Sequence, residues 1–496
     1  MSQKKQAASS ARAGGITDGV IWEQLLVFFF PILFGAFFQQ LYNTVDAVVV
    51  GRFTGSLELA AVGGSTGTII NLLFGFFIGL SSGATVIIAQ FYGAGDKEMV
   101  SRSVHTAIAL SIAGGAILSA IGFIFARTAL EWMQTPDTVI DLAETYIKIY
   151  FIGMIPNLYY NICAAILRAV GDSKRPLYIL IFSCLVNIVL DLVFVVVLRM
   201  SVQGVGIATI LSQFISAVLI TFCLMRTNEC YRLKWSKVRF HKMLLIRIIQ
   251  IGVPAGLQSV MYNIANIIIQ SNVNLLGSNT MAAYTAYSKI DAVFWMIMNA
   301  FGVSVSTFAG QNFGAGKLDR VRKSMKICLG MALGASIGLS VILHFFGRYV
   351  YMLFTTDAQV IDIGMQILYF LTPIYFTYVT IEVVSGTVRS MGFVFTPMIM
   401  TCGGVCVLRL LWLFIAVPQN RTITNILFSY PLSWVVTSIL FIIYYITRFI
   451  TVYIIIFTNM QYLYNHLIQL STLLYILIFC SKYFHILYFK QYFHIL

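Results

Sequence analysis

One stretch of this chain is written twice. Ala89-Gln90-Phe91-Tyr92-Gly93-Ala94-Gly95 returns as Gly310-Gln311-Asn312-Phe313-Gly314-Ala315-Gly316, so position 90 answers to position 311 at an offset of 221. The same register pairs Val139-Ile140-Asp141 with Val360-Ile361-Asp362. It also pairs Arg168-Ala169-Val170-Gly171 and Pro176 with Arg389-Ser390-Met391-Gly392 and Pro397. Chance does not hold three matches in one register, so the chain is a duplication, and any fold for it must be built from two like halves. Both copies lie in long apolar sequence, where duplicated helical bundles commonly carry solutes through the crevice between their halves.

The chain is 59% hydrophobic and only 10% charged over 496 residues, against about 25% charged for soluble domains. It therefore reads as an all-α polytopic membrane protein. Crossing about 30 Å of hydrocarbon takes roughly 20 helical residues. Runs of that kind fall near 22–50, 59–90, 101–130, 138–167, 176–198 and 203–225, then near 246–276, 281–311, 325–348, 358–388, 397–417 and 424–447. These are spans 1 to 6 and 7 to 12. Six crossings separate each position from its repeat, so both halves share one orientation, and the pseudo-twofold axis stands along the membrane normal.

The predicted organisation is a cytoplasmic tail (1–21), an N-lobe of spans 1–6 (22–225), a basic cytoplasmic linker (226–245), a C-lobe of spans 7–12 (246–448) and an atypical tail (449–496). The tail lacks Gly, Pro and acids from 450 onward and repeats Tyr483-Phe484-His485-Ile486-Leu487 at 492–496. It reads as a shifted frame or a non-homologous extension, and receives no function. Residues 1–18 are polar and basic and do not form a cleavable signal, so span 1 is expected to insert itself. The net charge of +14 lies in alternate loops, with Arg226, Arg232, Lys234, Lys237, Arg239, Lys242 and Arg247 facing only Glu229. By the positive-inside rule both ends of the twelve-span core lie in the cytoplasm, in an inner or plasma membrane, and nucleic-acid binding is not expected.

Ionisable groups within spans are costly unless they line a cavity or find partners. Asp46, Asp191, Asp291 and Glu382 qualify. Asp191 follows Asn187 by one helical turn, which puts both side chains on one face. With Thr209 of the next span, two carboxylates, an amide and a hydroxyl supply the hard oxygen ligands suited to an alkali cation or a proton relay. In the second half Tyr262-Asn263-Ile264-Ala265-Asn266 matches Tyr42-Asn43-Thr44-Val45-Asp46, and Asp191 answers to Trp412. Both N-lobe acids are therefore lost from the C-lobe, as expected of a specialised cation site. The rival reading is a buried acid pair that only holds helices together.

Asp291 follows Lys289 by two residues, so an ion pair and a transport role both fit it. Glu382, deep in span 10, is a candidate for attracting cationic substrates, against a structural hydrogen bond. Met261, Tyr284, Tyr287, Trp295 and Met298 read as packing. Pro31, Pro156, Pro254 and Pro373 are expected to interrupt spans 1, 4, 7 and 10, and Pro31 to let span 1 bend when Asp46 changes state. Cys402 and Cys406 share a helix face without His or acid beside them and read as packing. His105 and His344 are isolated, and the Gly-Ala-Gly turns lack the GKS/T ending of a phosphate loop. An enzyme is not expected. With no nucleotide loop to power it, transport would draw on an ion gradient.

With these residues in hand, the chain resembles the multidrug and toxic compound extrusion (MATE) family over about residues 15–448. The resemblance rests on Gln39 to Asp46 with Val50-Gly51-Arg52, on Gln90 to Gly95, on Leu167 to Asp172 and on Asn187 to Asp191. It implies twelve helices in two six-helix lobes with a cleft open alternately to each side. It also implies Na⁺ or H⁺ antiport of amphipathic, often cationic, organic compounds. The family's N-lobe cation site carries over onto Asp46, Asn187, Asp191 and Thr209, with Tyr42 and Pro31 nearby. No cofactor beyond the coupling ion is expected, the partners are small molecules and the bilayer, and the carrier is expected to be a monomer. A flippase for a lipid-linked precursor is the nearest rival, disfavoured because the noted mid-span charges are mainly acidic; a non-transporting scaffold is the other.

Overall fold

A computed structural model of the protein describes residues 16–457, with side chains up to Thr447. The long apolar runs become helices, because a helix satisfies its own backbone polar groups where no water can. Ten helices are long and apolar enough to cross a bilayer, and two bent pairs bring the crossings among the described residues to twelve. The N-lobe comprises Ile21–Phe53, Ser56–Gly93, Lys97–Trp132, the pair Asp137–Ile152 and Met154–Ala169, Lys174–Val197, and Val202–Arg226. The C-lobe comprises Lys242–Asn274, Ser278–Gly314, Leu318–Met352, the pair Ala358–Ile374 and Phe376–Ser390, Phe395–Ile415, and Ile423–Thr447. No strand occurs among the described residues. Large apolar side chains such as Ile124, Phe345 and Phe414 point outward, a surface that suits lipid and not water.

One compact unit ends at Phe441, within the last helix, Ser429–Phe457. That helix runs past the boundary expected at 448, because the sequence there holds neither Gly nor Pro to stop it. The remainder of the expected tail, 458–496, lies outside the described residues.

The duplication is visible as paired contacts. Arg127 pairs with Asp141 at 3.2 Å, and the equivalent Arg348 with Asp362 at 3.2 Å. Gln90 donates its side-chain amide to the Ser390 carbonyl at 2.8 Å, and Gln311 donates to the Ala169 carbonyl at 2.6 Å. These two bonds are reciprocal, each lobe reaching into the other. They close the lobes together at the end bearing the Gly-Ala-Gly turns, where Gly93 and Gly314 leave no room for a Cβ against the facing backbone of Gln311 and Gln90. Residues 16–19 add a strap over the same end. Lys317 binds the Thr17 carbonyl at 3.1 Å and the Asp18 carboxylate at 2.8 Å, while Arg320 binds the Gly19 carbonyl at 2.8 Å and Gln24 at 3.0 Å.

Two of the four proline-bearing spans break as expected and two do not. Spans 4 and 10 do break, bending by 48° at Gly153 and 50° beside Pro373. Spans 1 and 7 run unbroken through Pro31 and Pro254. The missing proline hydrogen bond is tolerable in a helix packed on its neighbours, and both residues are buried.

Candidate functional site

Spans 1, 4, 5 and 6 converge on a buried polar cluster inside the N-lobe. Asp191 and Asn187 are fully buried, Thr209 and Asp46 nearly so. The one-turn spacing of Asn187 and Asp191 places both toward span 1. Immediately after Asp191 the chain takes a π-helical turn, Leu192–Val197, a local widening that recurs at functional sites. Thr209 donates its hydroxyl to Asp46 Oδ2 at 3.4 Å, and Asp191 and Asn187 stand beside the same carboxylate. Tyr42 binds Ser212 Oγ at 3.1 Å and reaches the Thr209 carbonyl at 3.5 Å. Asp46, Asn187, Asp191, Thr209 and Tyr42 meet in one place, whereas Pro31, also named from the sequence, lies about four helical turns before Asp46 on span 1.

What distinguishes the pocket is what its atoms lack. Asp46 Oδ1, both Asp191 oxygens and both atoms of the Asn187 amide are buried without a hydrogen-bond partner. Each orphaned polar group costs about 1–3 kcal/mol in a folded protein, so such a cluster calls for a guest. Two adjacent carboxylates in low dielectric also repel strongly. The donor set of two carboxylates, an amide oxygen and a hydroxyl fits a hard cation or a proton. Tyr146 and Tyr150, one turn apart on span 4, lie within electrostatic reach of Asp46. The sequence reading missed them, although their spacing in an otherwise apolar helix was a visible signal.

The C-lobe acids lie elsewhere. Asp291 is surrounded: Tyr287 at 3.2 Å and Tyr375 at 2.6 Å donate to Oδ1, and Trp295 Nε1 donates to Oδ2 at 2.7 Å. No ion pair joins it to Lys289 among the described residues; the aromatic donors take that place. Glu382 accepts from Tyr378 at 3.0 Å and fills the space left by Gly302. Tyr284, Tyr287 and Trp295, read from the sequence as packing, are thus members of a hydrogen-bonded aromatic cluster. Phe294 stacks on Tyr375 with centroids 4.2 Å apart, and Trp434 packs on Trp295, Tyr375, Tyr378 and Tyr430.

Arg409 is the larger omission. It is 1% exposed, its guanidinium lies 4.2 Å from the centre of the Tyr430 ring, and Nη2 donates to Ser433 Oγ at 3.2 Å. A lone Arg inside Val-Cys-Val-Leu-Arg-Leu-Leu-Trp was legible as an intramembrane charge; beside Asp46, Asp191, Asp291 and Glu382 it adds one base to mid-span charges that stay mainly acidic. By the repeat, the stretch of span 5 that bears Asn187 and Asp191 answers to the stretch of span 11 that bears Arg409 and Trp412.

Two six-helix lobes, related about the membrane normal and holding ionisable groups in their interiors, define a two-lobed transporter of the membrane-carrier class. The MatE family model matches the chain twice, over residues 31–193 and 254–415, and the protein belongs to that family. It is 28% identical over 435 residues to the Bacillus subtilis protein named "Probable multidrug resistance protein YoeA", covering 86% of this chain and 93% of that one. It is 24% identical over 362 residues to the FAD transporter of Shewanella oneidensis, covering 70% of this chain and 77% of that one. Among solved structures, a MOP superfamily transporter from Pyrococcus furiosus superposes with a TM-score of 0.81 at 21% identity, covering 87% of this chain and 97% of that one. The protein is a multi-pass membrane transporter of the multidrug efflux type.

Proposed function

We propose that the protein exports amphipathic organic molecules, cations among them, in exchange for Na⁺ or H⁺ bound between Asp46 and Asp191. The observation that carries this reading is the set of five orphaned polar atoms on Asp46, Asn187 and Asp191. A cation or proton among them would remove the repulsion of the two carboxylates, and a cation would also engage the Asn187 amide oxygen, favouring the packed arrangement of spans 1, 5 and 6. Its release would leave like charges side by side in low dielectric, which favours a different arrangement of span 1. Substrate and ion then prefer opposite lobe states, as exchange requires. Thr209 and Asn187 are assigned as neutral ligands, Tyr42 as the group that ties span 1 to span 6, and Pro31 as the place where span 1 bends. Glu382 and Asp291 are assigned to the substrate side, with Glu382 attracting cationic groups once the lobes part. The N-terminus and the basic linker are placed in the cytoplasm, and the carrier works as a monomer.

The test is efflux of a fluorescent amphipathic cation from vesicles with Na⁺ and pH gradients imposed separately. Wild-type protein should respond to one gradient, and Asp46→Asn should not. Gradient-driven efflux unchanged in Asp46→Asn would remove that carboxylate from the mechanism.

A further inference from the structure

Spans 2 and 7 form a seam between the lobes, and it changes character along its length. Toward the Gly-Ala-Gly end it is shut by glycines: a Cβ on Gly79 would strike the backbone of Gly256, and one on Gly83 the backbone of Ile248 and Gly252. Toward the other end the helices part into a cleft of about 420 Å³, a size that suits the polar part of a drug-sized molecule. Its polar lining comes mainly from Thr68, Asn71, Asn263, Asn266, Gln270 and Asn274, with Leu72 and Ile267 as apolar wall. No charged residue lines it.

Amides crowd this cleft because span 7 presents Asn263, Asn266, Gln270 and Asn274 at helical spacing along one face. Some are used within the helix: Asn263 donates to the Ser259 carbonyl at 2.9 Å, and Gln270 donates to Asn274 at 2.8 Å. Asn71 and Asn266 make no hydrogen bond among the described residues. They stand on opposite helices with donor and acceptor both free. Asn266 is also the repeat counterpart of Asp46. The position that carries a buried acid in the N-lobe therefore carries, in the C-lobe, an exposed amide in the cleft wall.

We propose that this cleft is a subsite for an uncharged hydrogen-bonding group of the transported molecule, such as a carboxamide, lactam, urea or hydroxyl, and that Asn71 and Asn266 recognise it. This rests on the export reading above and narrows its substrate class. An amide pair carries no net charge to draw an ion into the cleft, and it matches a group that both donates and accepts. A ligand lacking such a group would strip water from both amides and return nothing, so the cleft discriminates by hydrogen bonding. Leu72 and Ile267 receive the adjoining apolar part of the ligand. The carrier would thus take neutral polar amphiphiles as well as cations, with separate residues reading each.

The experiment uses the full chain in lipid nanodiscs, with no gradient, and two dansyl probes on one decyl chain, ending in a carboxamide or in a trimethylammonium group. Fluorescence anisotropy gives Kd for each. Replacing Asn71 by Ala together with Asn266 by Leu should raise the Kd of the carboxamide probe about tenfold and that of the trimethylammonium probe less than about twofold. Asn266→Asp should reverse the preference, tightening the trimethylammonium probe and weakening the carboxamide. Wild-type protein that fails to bind the carboxamide probe, an equal loss for both probes, or no reversal by Asn266→Asp would each overturn the proposal. Because binding is read without efflux, failure of ion-driven export would appear in the vesicle assay and leave this result interpretable.

Discussion

The carboxylates of the two lobes sit in opposite conditions. Asp291 takes hydrogen bonds from three aromatic side chains, on both of its oxygens. Asp191, more deeply buried, receives no such donor and has the Asp46 carboxyl beside it, and Asn187 and Asp46 keep unpaired atoms as well. Span 11 adds a buried Arg409, and Asp291 feels its charge; among the described residues the N-lobe pocket contains no cation of its own. One duplicated scaffold therefore supports a finished network and an unfinished one. In the function proposed above, the complete network holds helices together and the incomplete one receives the coupling ion.

The largest effect should come from the unfinished side. Asp191→Asn or Asp46→Asn should reduce ion-driven efflux about 100-fold, about 2.7 kcal/mol, at unchanged expression, as read by initial rates in vesicles. If either variant keeps wild-type coupling, the contrast between lobes does not concern ions.

Breaking the finished side should act on stability first. Asp291→Asn keeps the shape but weakens three charge-assisted bonds, and intramembrane bonds contribute about 0.6–2 kcal/mol each. A lowered melting temperature in detergent is expected, with a loss of coupling at least tenfold smaller than for Asp46→Asn. Coupling lost as fully as in the N-lobe variant would make the C-lobe a second ion site.

A smaller effect probes what the lobes share. Gln90→Ala and Gln311→Ala each remove one of the two reciprocal interlobe bonds, worth about 1 kcal/mol apiece. Amide hydrogen exchange at residues 90–95 and 311–316 should rise by a similar factor in either single variant and by the product in the double. Unequal effects would show that the closure is not symmetric.

The smallest effect is electrostatic and lies at the strap. The Lys317 ammonium bonded to Asp18 holds that carboxyl below its ordinary range. A depressed carboxyl stabilises the folded contact above the unfolded value, and the contribution is lost as pH falls through the folded value. Proteolysis near residues 16–19 should therefore be insensitive to pH near neutrality and rise only on acidification below the usual carboxylate range. A rise beginning near pH 6 would exclude this ion pair as the cause. Both partners are substantially exposed, so salt should weaken the contact further.

How much of this was legible beforehand depended on whether the cause was local or distant. The spans could be counted because each is an uninterrupted apolar run of bilayer length, and the two-lobe plan because a duplication leaves its register in the text. Asn187 and Asp191 could be placed on one face because one helical turn separates them. Their grouping with Asp46 and Thr209 was suggested by shared oxygen-donor chemistry, by the loss of both acids from the second half and by the family resemblance, but no local spacing could bring them together, since they lie on three different helices. Tertiary structure alone decided which acids are satisfied. Asp291 and Asp191 look alike as mid-span carboxylates, and only the arrival of Tyr375 from span 10 and of Trp295 and Tyr287 along span 8 makes one complete and leaves the other open. It also decided that Pro31 and Pro254 leave their helices unbroken while Gly153 and the turn at Pro373 bend theirs, because a helix missing one hydrogen bond stays continuous where neighbouring helices support it. Sequence records which groups a helix carries on each face; only packing determines which faces meet, and with them which polar atoms find a partner.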